Sequence, residues 1–276
     1  MFIFVLHQGV KGAAIATVIG QIIAFSLAVF LNHTKNPDIQ MNLKTFRPKP
    51  RLIGSIYAIG VPSIIMVAIG SVMTFAMNKI LIIYHVARET AATIFGVYFK
   101  LNSFVFMPVF GLNNGVIPIV AYNYGARNKK RMLEAIRLAV IVVSSYTILG
   151  AIVFMTLPGP LLSIFSASDV MLQYGKPALR IIGSTFIFAG VCIALGSVFQ
   201  ALGYGIYSMI VSLARQLLAL VPAAYILARI GQSTGNPDLV WLSFPIAELA
   251  SLAATLILFR RLYKNVIAPL PDSPQA

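Results

Sequence analysis

Three ionisable side chains lie inside long apolar stretches, where a charge needs a partner or water. Lys100, Arg215 and Glu248 each fall about ten residues into a hydrophobic segment, which at ~1.5 Å per residue is roughly halfway through a ~30 Å hydrocarbon core. An unpaired charge at that depth costs several kcal/mol. The chemistry these residues suggest is the binding of ions or charged small molecules.

The residues that usually carry covalent or metal chemistry are scattered. His7, His33 and His85 fall in separate loops, and Cys192 is the single cysteine. No HExxH, G-x-S-x-G or GxxxxGK motif occurs in the sequence. The sequence therefore predicts no catalytic residues, no metal site and no cofactor, and it offers no module for an ATP-driven pump.

The elements that must position these charges are membrane helices. Hydrophobic residues make up 59% of the chain and charged residues 10%, with a mean hydropathy of +0.88, whereas soluble domains carry about 25% charged residues. A net charge of +14 is also found in nucleic-acid-binding proteins. Here the charges lie between apolar runs, where they indicate membrane topology instead. These runs exceed the ~10 residues of a barrel strand, so helices are the spanning elements.

The apolar runs predict an all-α integral membrane protein with seven transmembrane helices. The predicted spans are residues 13–31, 52–84, 90–121, 133–157, 177–202, 206–227 and 239–259. The segment 158–176 between the fourth and fifth spans is either a short interfacial helix or a plain loop. The glycines of the turn at 203–205 predict a very tight connection between the fifth and sixth spans.

The basic residues predict the orientation. One side of the membrane collects thirteen Lys and Arg residues in three clusters, and the other side has six. Basic residues accumulate on the cytoplasmic side, so we expect a multi-pass plasma-membrane protein with a cytoplasmic C-terminus and the lipid bilayer as its partner. The middle cluster is expected to anchor a turn at the anionic inner leaflet and consists of Arg127, Lys129, Lys130 and Arg131.

The sixth and seventh spans are sequential and antiparallel, which places Arg215 and Glu248 at matching depths. We therefore predict a buried Arg215–Glu248 pair, with Lys100 facing an aqueous cavity. The alternative is that the pair only joins helices of the bundle. The other candidate cavity residues are Asn102, Asn114 and Gln200, and the aromatic residues around Lys100 could line the same space: Tyr98, Phe99, Phe104 and Phe106.

The third span contains Pro108 and Pro118, with Gly111 and Gly115 between them as GxxxG. Small residues allow close helix packing, and prolines interrupt backbone hydrogen bonds. The span is therefore either a tightly packed helix or a bent helix lining a polar cavity. We expect Gly125 to end it in a left-handed conformation.

Residues 104–132, "FVFMPVFGLNNGVIPIVAYNYGARNKKRM", resemble the multidrug and toxic compound extrusion (MATE) transporters. Three further stretches resemble the family's sixth helix, its turn between helices ten and eleven, and its last helix: 9–21, 197–216 and 240–248. The bacterial drug-exporting and DinF-like branch looks closest. The matching motif residues are Met107, Pro108, Gly111, Gly115, Pro118, Asn123, Tyr124, Gly125 and Ala126.

The resemblance implies a two-lobe fold of twelve helices, of which this chain supplies helices six to twelve. It implies residues 1–34 as the last helix of an N-terminal lobe, cut short, and 35–52 as a cytoplasmic linker. It also implies 53–264 as a six-helix C-terminal lobe; residues 265–276 are expected to form a disordered tail. The implied activity is efflux of small organic cations or drugs, coupled to Na⁺ or H⁺.

Two departures from the family affect that activity. Residues 60–75 lack the cation-binding glutamate of some members, and 181–196 lack their aspartate. We therefore expect an incomplete transporter that needs a missing N-terminal lobe. The alternatives are a non-transporting membrane scaffold or partner subunit, and a lipid-linked oligosaccharide flippase.

Overall fold

A computed structural model describes residues 9–35 and 49–271 of the chain. The chain divides into two compact units, Met1–Ser55 and Ile56–Ala276. In the first unit, helix α1 (Gly9–Lys35) is apolar and exposes its described side chains along nearly its whole length. The first eight residues of the predicted segment 1–34 and most of the predicted linker 35–52 lie outside the described residues.

Helices build the described part of the second unit. Helix α2 (Pro50–Tyr84) begins before Ile56, the first residue of the second unit. Helices α3 (Glu89–Gly125) and α4 (Lys129–Thr156) follow as long apolar helices. Six helices of the described chain are long and apolar enough to cross a membrane, and a bent pair makes a seventh. The predicted all-α membrane fold is confirmed, with one of the seven spans broken.

The broken span consists of α6 (Asp169–Gly183) and α7 (Phe186–Ala201), which meet at 45°. Ser184 and Thr185 at the break donate side-chain hydrogen bonds to carbonyls three residues earlier. Such bonds compete with the helical ladder and favour a bend. The predicted span 177–202 is therefore interrupted at residues 184–185, and the helix also starts earlier, at Asp169.

The short helix α5 (Pro158–Ser163) precedes that span, and Pro158 at its first position needs no helical N–H partner. The segment 158–176, predicted as an interfacial helix or a loop, thus holds the short helix α5 and the first two turns of α6. Ser168 then caps α6, because its hydroxyl accepts the Met171 N–H at 3.3 Å.

The next span changes its helical pitch halfway. Helix α8 (Gly205–Leu213) leads into a π-helical segment, Ala214–Leu220, and then into α9 (Val221–Thr234). Pro222 is the second residue after the π segment and has no N–H for the carbonyl four residues earlier, so a widened turn relieves the mismatch. Gly203 has φ +83° in the tight turn before α8, as the sequence predicts.

The last span starts with a 3-10 turn, Pro237–Leu242, and continues as α10 (Ser243–Leu262) and a π turn, Tyr263–Ile267. Ile267 is fully buried, and Ala268 accepts a hydrogen bond from the Lys129 ammonium at 3.2 Å. The predicted disordered tail is therefore wrong for 265–271, because an apolar contact and backbone bonds hold that part. Residues 272–276 lie outside the described chain.

The turn between α3 and α4 differs from the prediction in one residue. Gly125 remains helical, and Arg127 takes the left-handed conformation with φ +53°. The Asn128 side chain then caps α4 by accepting the Arg131 N–H at 3.1 Å. Lys129, Lys130 and Arg131 thus occupy the first helical turn, where the helix dipole disfavours positive charge. The three basic residues therefore do not stabilise the start of α4, which favours the predicted role of the basic cluster at the membrane surface.

The GxxxG pair of α3 is not a tight helix contact in the described chain. A Cβ atom added at Gly111 or Gly115 would meet no heavy atom within 4 Å. Close packing instead uses Gly183 and Gly190, where an added Cβ would overlap Phe154 and Thr147 of α4. Across both prolines α3 is one continuous α-helix, and the predicted bend remains a prediction.

Candidate functional site

An ion pair joins the π segment to α10. Arg215 Nη1 donates a hydrogen bond to Glu248 Oε1 at 2.8 Å. The arginine side chain is 33% exposed, whereas the glutamate side chain is 10% exposed. The pair predicted from the matching depths of two antiparallel spans is confirmed. The arginine is therefore the more accessible member of the ion pair, and the glutamate is the more buried one.

The π segment determines how Arg215 is presented. Arg215 is the second residue of that segment, ahead of Pro222, and Gln216 beside it donates to the Ser212 hydroxyl at 3.1 Å. A π turn shifts the following side chains relative to a regular α-helix, and such turns are frequent at functional sites. The arginine therefore reaches across to α10 from a locally irregular backbone.

Aromatic side chains surround one side of the pair. A cavity of about 150 Å³, the aromatic cavity, is bounded by α3, α7, the π segment and α10. Tyr98 and Phe244 on its wall pack edge to face, with ring centroids 5.6 Å apart. Its polar wall contains Asn102, Thr185, Gln216 and the ion pair. The aromatic wall is formed by Tyr98, Phe99, Phe106, Phe110, Phe186 and Phe244.

A second cavity lies on the other side of Arg215. This polar cavity of about 280 Å³ shares Phe110, Ile193 and Arg215 with the aromatic cavity. Its lining is rich in amides and hydroxyls, including Asn113, Asn114, Gln200, Ser208, Ser251 and Thr255. Arg215 thus lines two spaces, one rich in aromatic side chains and one rich in amide and hydroxyl side chains.

Buried oxygen atoms without a protein partner concentrate here. Glu248 Oε2 and Asn113 Oδ1 have no hydrogen-bond partner among the described residues, and the hydroxyls of Ser251 and Thr255 lie beside the Cys192 thiol. Ser251 and Thr255 are fully buried, and Glu248 is 7% exposed. Buried polar atoms are nearly always bonded to protein or water, so the packed helices leave these polar groups incompletely satisfied.

The predicted cavity residues are distributed as follows. Asn102, Arg215 and Glu248 line the aromatic cavity, and Asn114, Gln200 and Arg215 line the polar cavity. Lys100 lines neither cavity; its ammonium lies 6.0 Å from the Phe165 ring centroid, just after α5. The reason is that α3 has 37 residues and, at ~1.5 Å each, is longer than the hydrocarbon core, so Lys100 lies nearer one end than expected.

Sequence reasoning missed several lining residues. Of the aromatics around Lys100, Tyr98, Phe99 and Phe106 line the aromatic cavity, and Phe104 is 76% exposed. Phe186 and Phe244 were not predicted: Phe186 follows the break at Ser184 and Thr185, and Phe244 is the second residue of α10, just after the 3-10 turn. Ser251 and Thr255 were also missed, although their spacing of three and seven residues after Glu248 places them on one helical face.

His85 lies in the turn between α2 and α3, away from both cavities. Its ring packs edge to face on Tyr174 at 5.4 Å, and its Nδ1 accepts the Ala87 N–H at 3.0 Å. Burial lowers the pKa of His85 from 6.5 to about 4, because the charged imidazolium loses its hydration. Across the described residues, no group of three His, Cys, Asp or Glu side chains could hold a metal ion.

These features define a class of protein. Membrane helices with a break and a π segment beside buried polar groups are typical of secondary transporters, which bind their cargo near mid-membrane. The family follows from the sequence: the family model described as MatE matches residues 62–226, and the chain belongs to this family. It is a family of membrane transporters and not of enzymes; they use no cofactor and are driven by ion coupling.

Similar proteins include two curated relatives named multidrug export protein MepA. The one from Staphylococcus haemolyticus strain JCSC1435 is 27% identical over 259 residues, covering 94% of this chain and 55% of that protein. The one from Staphylococcus aureus strain N315 is 26% identical, covering 94% and 56%. The chain therefore spans about half the length of the curated relatives it matches.

Solved structures agree on the fold. One described as the outward-facing conformation of a multidrug resistance MATE family transporter of the MOP superfamily matches with a TM-score of 0.84 at 22% identity. That match covers 95% of this chain and 58% of the other. An inward-facing conformation matches with a TM-score of 0.77 at 21% identity, covering 98% and 61%.

Proposed function

We propose that this chain forms a substrate-binding lobe of a multidrug efflux transporter for organic cations. The observation that carries the proposal is the aromatic cavity, which is lined by six aromatic rings and a buried carboxylate. Aromatic faces attract cations, and the Glu248 carboxylate on the same wall is paired with Arg215. The names of the MepA relatives, multidrug export proteins, support the same activity.

The geometry favours a cation with an attached ring system. Arg215 uses Oε1 of Glu248, and Oε2 is buried without a hydrogen-bond partner among the described residues, so the accessible wall that a ligand meets is mainly aromatic. The aromatic cavity of about 150 Å³ is smaller than the ~300–1,000 Å³ of pockets that enclose a drug-sized ligand. It therefore suits the charged end of a ligand whose remainder contacts a second surface.

That second surface is the facing lobe of a two-lobe transporter. In this proposal residues 53–264 form the C-terminal lobe, residues 1–34 the last helix of the N-terminal lobe, and 35–52 the linker between them. Alternating access by rocking requires both lobes, so the chain transports only together with an N-terminal lobe. The basic clusters then face the cytoplasm in the plasma membrane, and Na⁺ or H⁺ drives export.

Binding of ethidium, a fluorescent organic cation, tests the proposal on the full chain in lipid nanodiscs. Phe110 and Phe104 are a matched pair, because both are exposed phenylalanines of α3 and only Phe110 lines a cavity. Phe110→Ala should weaken ethidium binding about tenfold, since a lost ring contact is worth ~1–2 kcal/mol. Phe104→Ala should change the affinity by less than about twofold.

Equal losses in the two variants, or no saturable ethidium binding by the parent chain, would contradict the assignment of the aromatic cavity. A second measurement addresses transport. Ethidium efflux from cells should require co-expression of the N-terminal lobe of a MepA relative together with this chain. Efflux by this chain alone would overturn the requirement for a second lobe and leave the cavity assignment intact.

A further inference from the structure

An apolar groove lies between α3 and α4, and its lining residues differ from those of both cavities. Its volume is about 480 Å³, and its lining consists of glycine and aliphatic residues. Gly111 and Gly115 form part of its α3 side, and open space lies where each would carry a Cβ atom. Exposed apolar side chains border it, among them Ile119 of α3 and Leu138 of α4. The groove is therefore concave and apolar, and the side chains of the described residues leave it open.

The groove lies within one leaflet of the membrane when the turn between α3 and α4 is at the membrane surface, where its basic residues belong. On α3 the lining runs from Ile119 to Gly111, six and fourteen residues before the end of the helix. On α4 it runs from Ala135 to Val142, six and thirteen residues after the start. At ~1.5 Å per residue, both helices place the groove between ~9 and ~21 Å below the surface. Headgroups occupy the first ~5–8 Å and the midplane lies at ~20–23 Å, so the groove spans the acyl-chain layer of that leaflet.

Basic residues lie at the surface end of the groove. Residues 127–134 carry four basic side chains and one acidic side chain, so their net charge is +3. Arg131 is exposed and lies four residues before Ala135, which places it on the groove face of α4, one turn nearer the surface. Arg127 and Lys130 are also exposed. The groove therefore runs from a positively charged end into the apolar layer.

These two features fit an anionic phospholipid better than a partner helix. Any spanning helix contacts lipid, but a concave apolar face with a charged end holds one lipid in a defined position. Lys and Arg residues near the surface attract anionic headgroups. A GxxxG stripe also packs helices, but a partner helix crosses both leaflets, whereas this groove ends near the membrane midplane. An apolar helix would also gain nothing from the positive charge.

We propose that α3 and α4 bind one anionic phospholipid, with its phosphate at Arg131 and one acyl chain in the groove. The guanidinium donates hydrogen bonds to the phosphate oxygens, a pairing that the planar geometry of arginine favours. Arg127 and Lys130 add positive charge around the headgroup. The acyl chain occupies the open space beside Gly111 and Gly115. This site is outside both cavities and does not depend on the proposed function.

Native mass spectrometry of the full chain in detergent tests the charged end, with phosphatidylglycerol and phosphatidylcholine of identical acyl chains titrated separately. The parent chain should bind one phosphatidylglycerol saturably and at least about fivefold more tightly than phosphatidylcholine. Arg131→Gln should weaken phosphatidylglycerol binding about fivefold or more. Arg137→Gln is the matched control, because it removes the same charge from an exposed position on the face of α4 opposite Ala135. It should change the affinity by less than about twofold.

Filling variants test the groove. Gly115→Leu places a side chain in the acyl-chain position and should weaken phosphatidylglycerol binding at least about fivefold. Gly96→Leu is its control, since Gly96 is another exposed glycine of α3 with open space around it but lies outside the groove. Gly111→Leu is a second filling variant should Gly115→Leu lose its helical circular dichroism. Millimolar inorganic phosphate should not displace the lipid, because the acyl chain supplies part of the affinity.

Equal affinity for the two lipids, or equal losses in Arg131→Gln and Arg137→Gln, would overturn the headgroup site. Unchanged phosphatidylglycerol binding in both filling variants would overturn the groove as the acyl-chain site. Displacement by inorganic phosphate would reduce the site to one for phosphate alone. Loss of self-association in Gly115→Leu, with lipid binding intact, would assign the groove to a helix of a second copy and refute the lipid.

Discussion

Arg215 and Glu248 are 33 residues apart in sequence, and Nη1 of the arginine lies 2.8 Å from Oε1 of the glutamate. This bond joins a π-helical segment to the last spanning helix at the boundary between an aromatic and a polar cavity. The contact therefore both connects two helices and places charge where two chemically different spaces meet.

Removal of one partner should destabilise the protein more than removal of both. Arg215→Met leaves a nearly enclosed carboxylate unpaired and should lower the free energy of unfolding by about 2–4 kcal/mol. Adding Glu248→Gln to that variant should restore more than half of the loss, because no buried charge remains. Reversible SDS unfolding of the parent, both single variants and the double variant measures the coupling. Additive losses would mean that the two side chains do not interact energetically.

The glycines of the broken span support a second prediction. Gly190 of α7 packs against Thr147 of α4, and an added Cβ would overlap the Thr147 hydroxyl and lie 3.0 Å from its Cγ2. Gly190→Ala should therefore cost about 1–3 kcal/mol of unfolding free energy, and Thr147→Ala in the same chain should recover part of it. Gly111→Ala is the control, since it meets nothing within 4 Å and should be neutral or stabilising by up to about 1 kcal/mol. A Gly111→Ala variant as unstable as Gly190→Ala would contradict this packing.

The sequence predicted the elements better than their interruptions. Length and apolar runs were enough for seven spans, and equal depth in neighbouring antiparallel spans was enough for the Arg215–Glu248 pair. The break at Ser184 and Thr185 was not predicted, because both residues also occur in continuous membrane helices and only their hydrogen bonds reveal the bend. The π segment depends in the same way on how Pro222 is accommodated in three dimensions.

The sequence predicted those cavity residues that carry a charge or an amide group. Asn102, Asn114, Gln200, Arg215 and Glu248 stand out as polar residues in apolar spans, and all line one of the two cavities. Hydroxyl residues such as Ser251 and Thr255 carry a weaker signal, since in helices they can bond their own backbone. Whether any of these residues binds substrate or an ion remains a prediction.

The buried imidazole of His85 predicts a dependence of stability on pH. Its pKa falls from 6.5 to about 4 on folding, so between these values the unfolded chain binds more protons and stability rises with pH. The contribution is fully present above pH 6.5 and is lost as the pH falls towards 4, a loss of up to about 3 kcal/mol. Thermal unfolding in detergent between pH 7 and about pH 4 should show a decrease that His85→Phe reduces. An identical decrease in His85→Phe would assign the effect to other groups.

Lys100 and Asn102 provide the last prediction, because they are neighbours on α3 with different surroundings. Asn102 lines the aromatic cavity, whereas the Lys100 ammonium lies 6.0 Å from the Phe165 ring centroid, outside both cavities. Asn102→Ala should weaken ethidium binding about three- to tenfold, the value of one hydrogen bond or polar contact. Lys100→Ala should leave the affinity within about twofold, since an exposed cation–π contact is worth only ~0.5–1 kcal/mol and is remote from the ligand. Tighter ethidium binding by Lys100→Ala would instead indicate that the lysine repels the ligand from within the cavity, as the sequence first suggested.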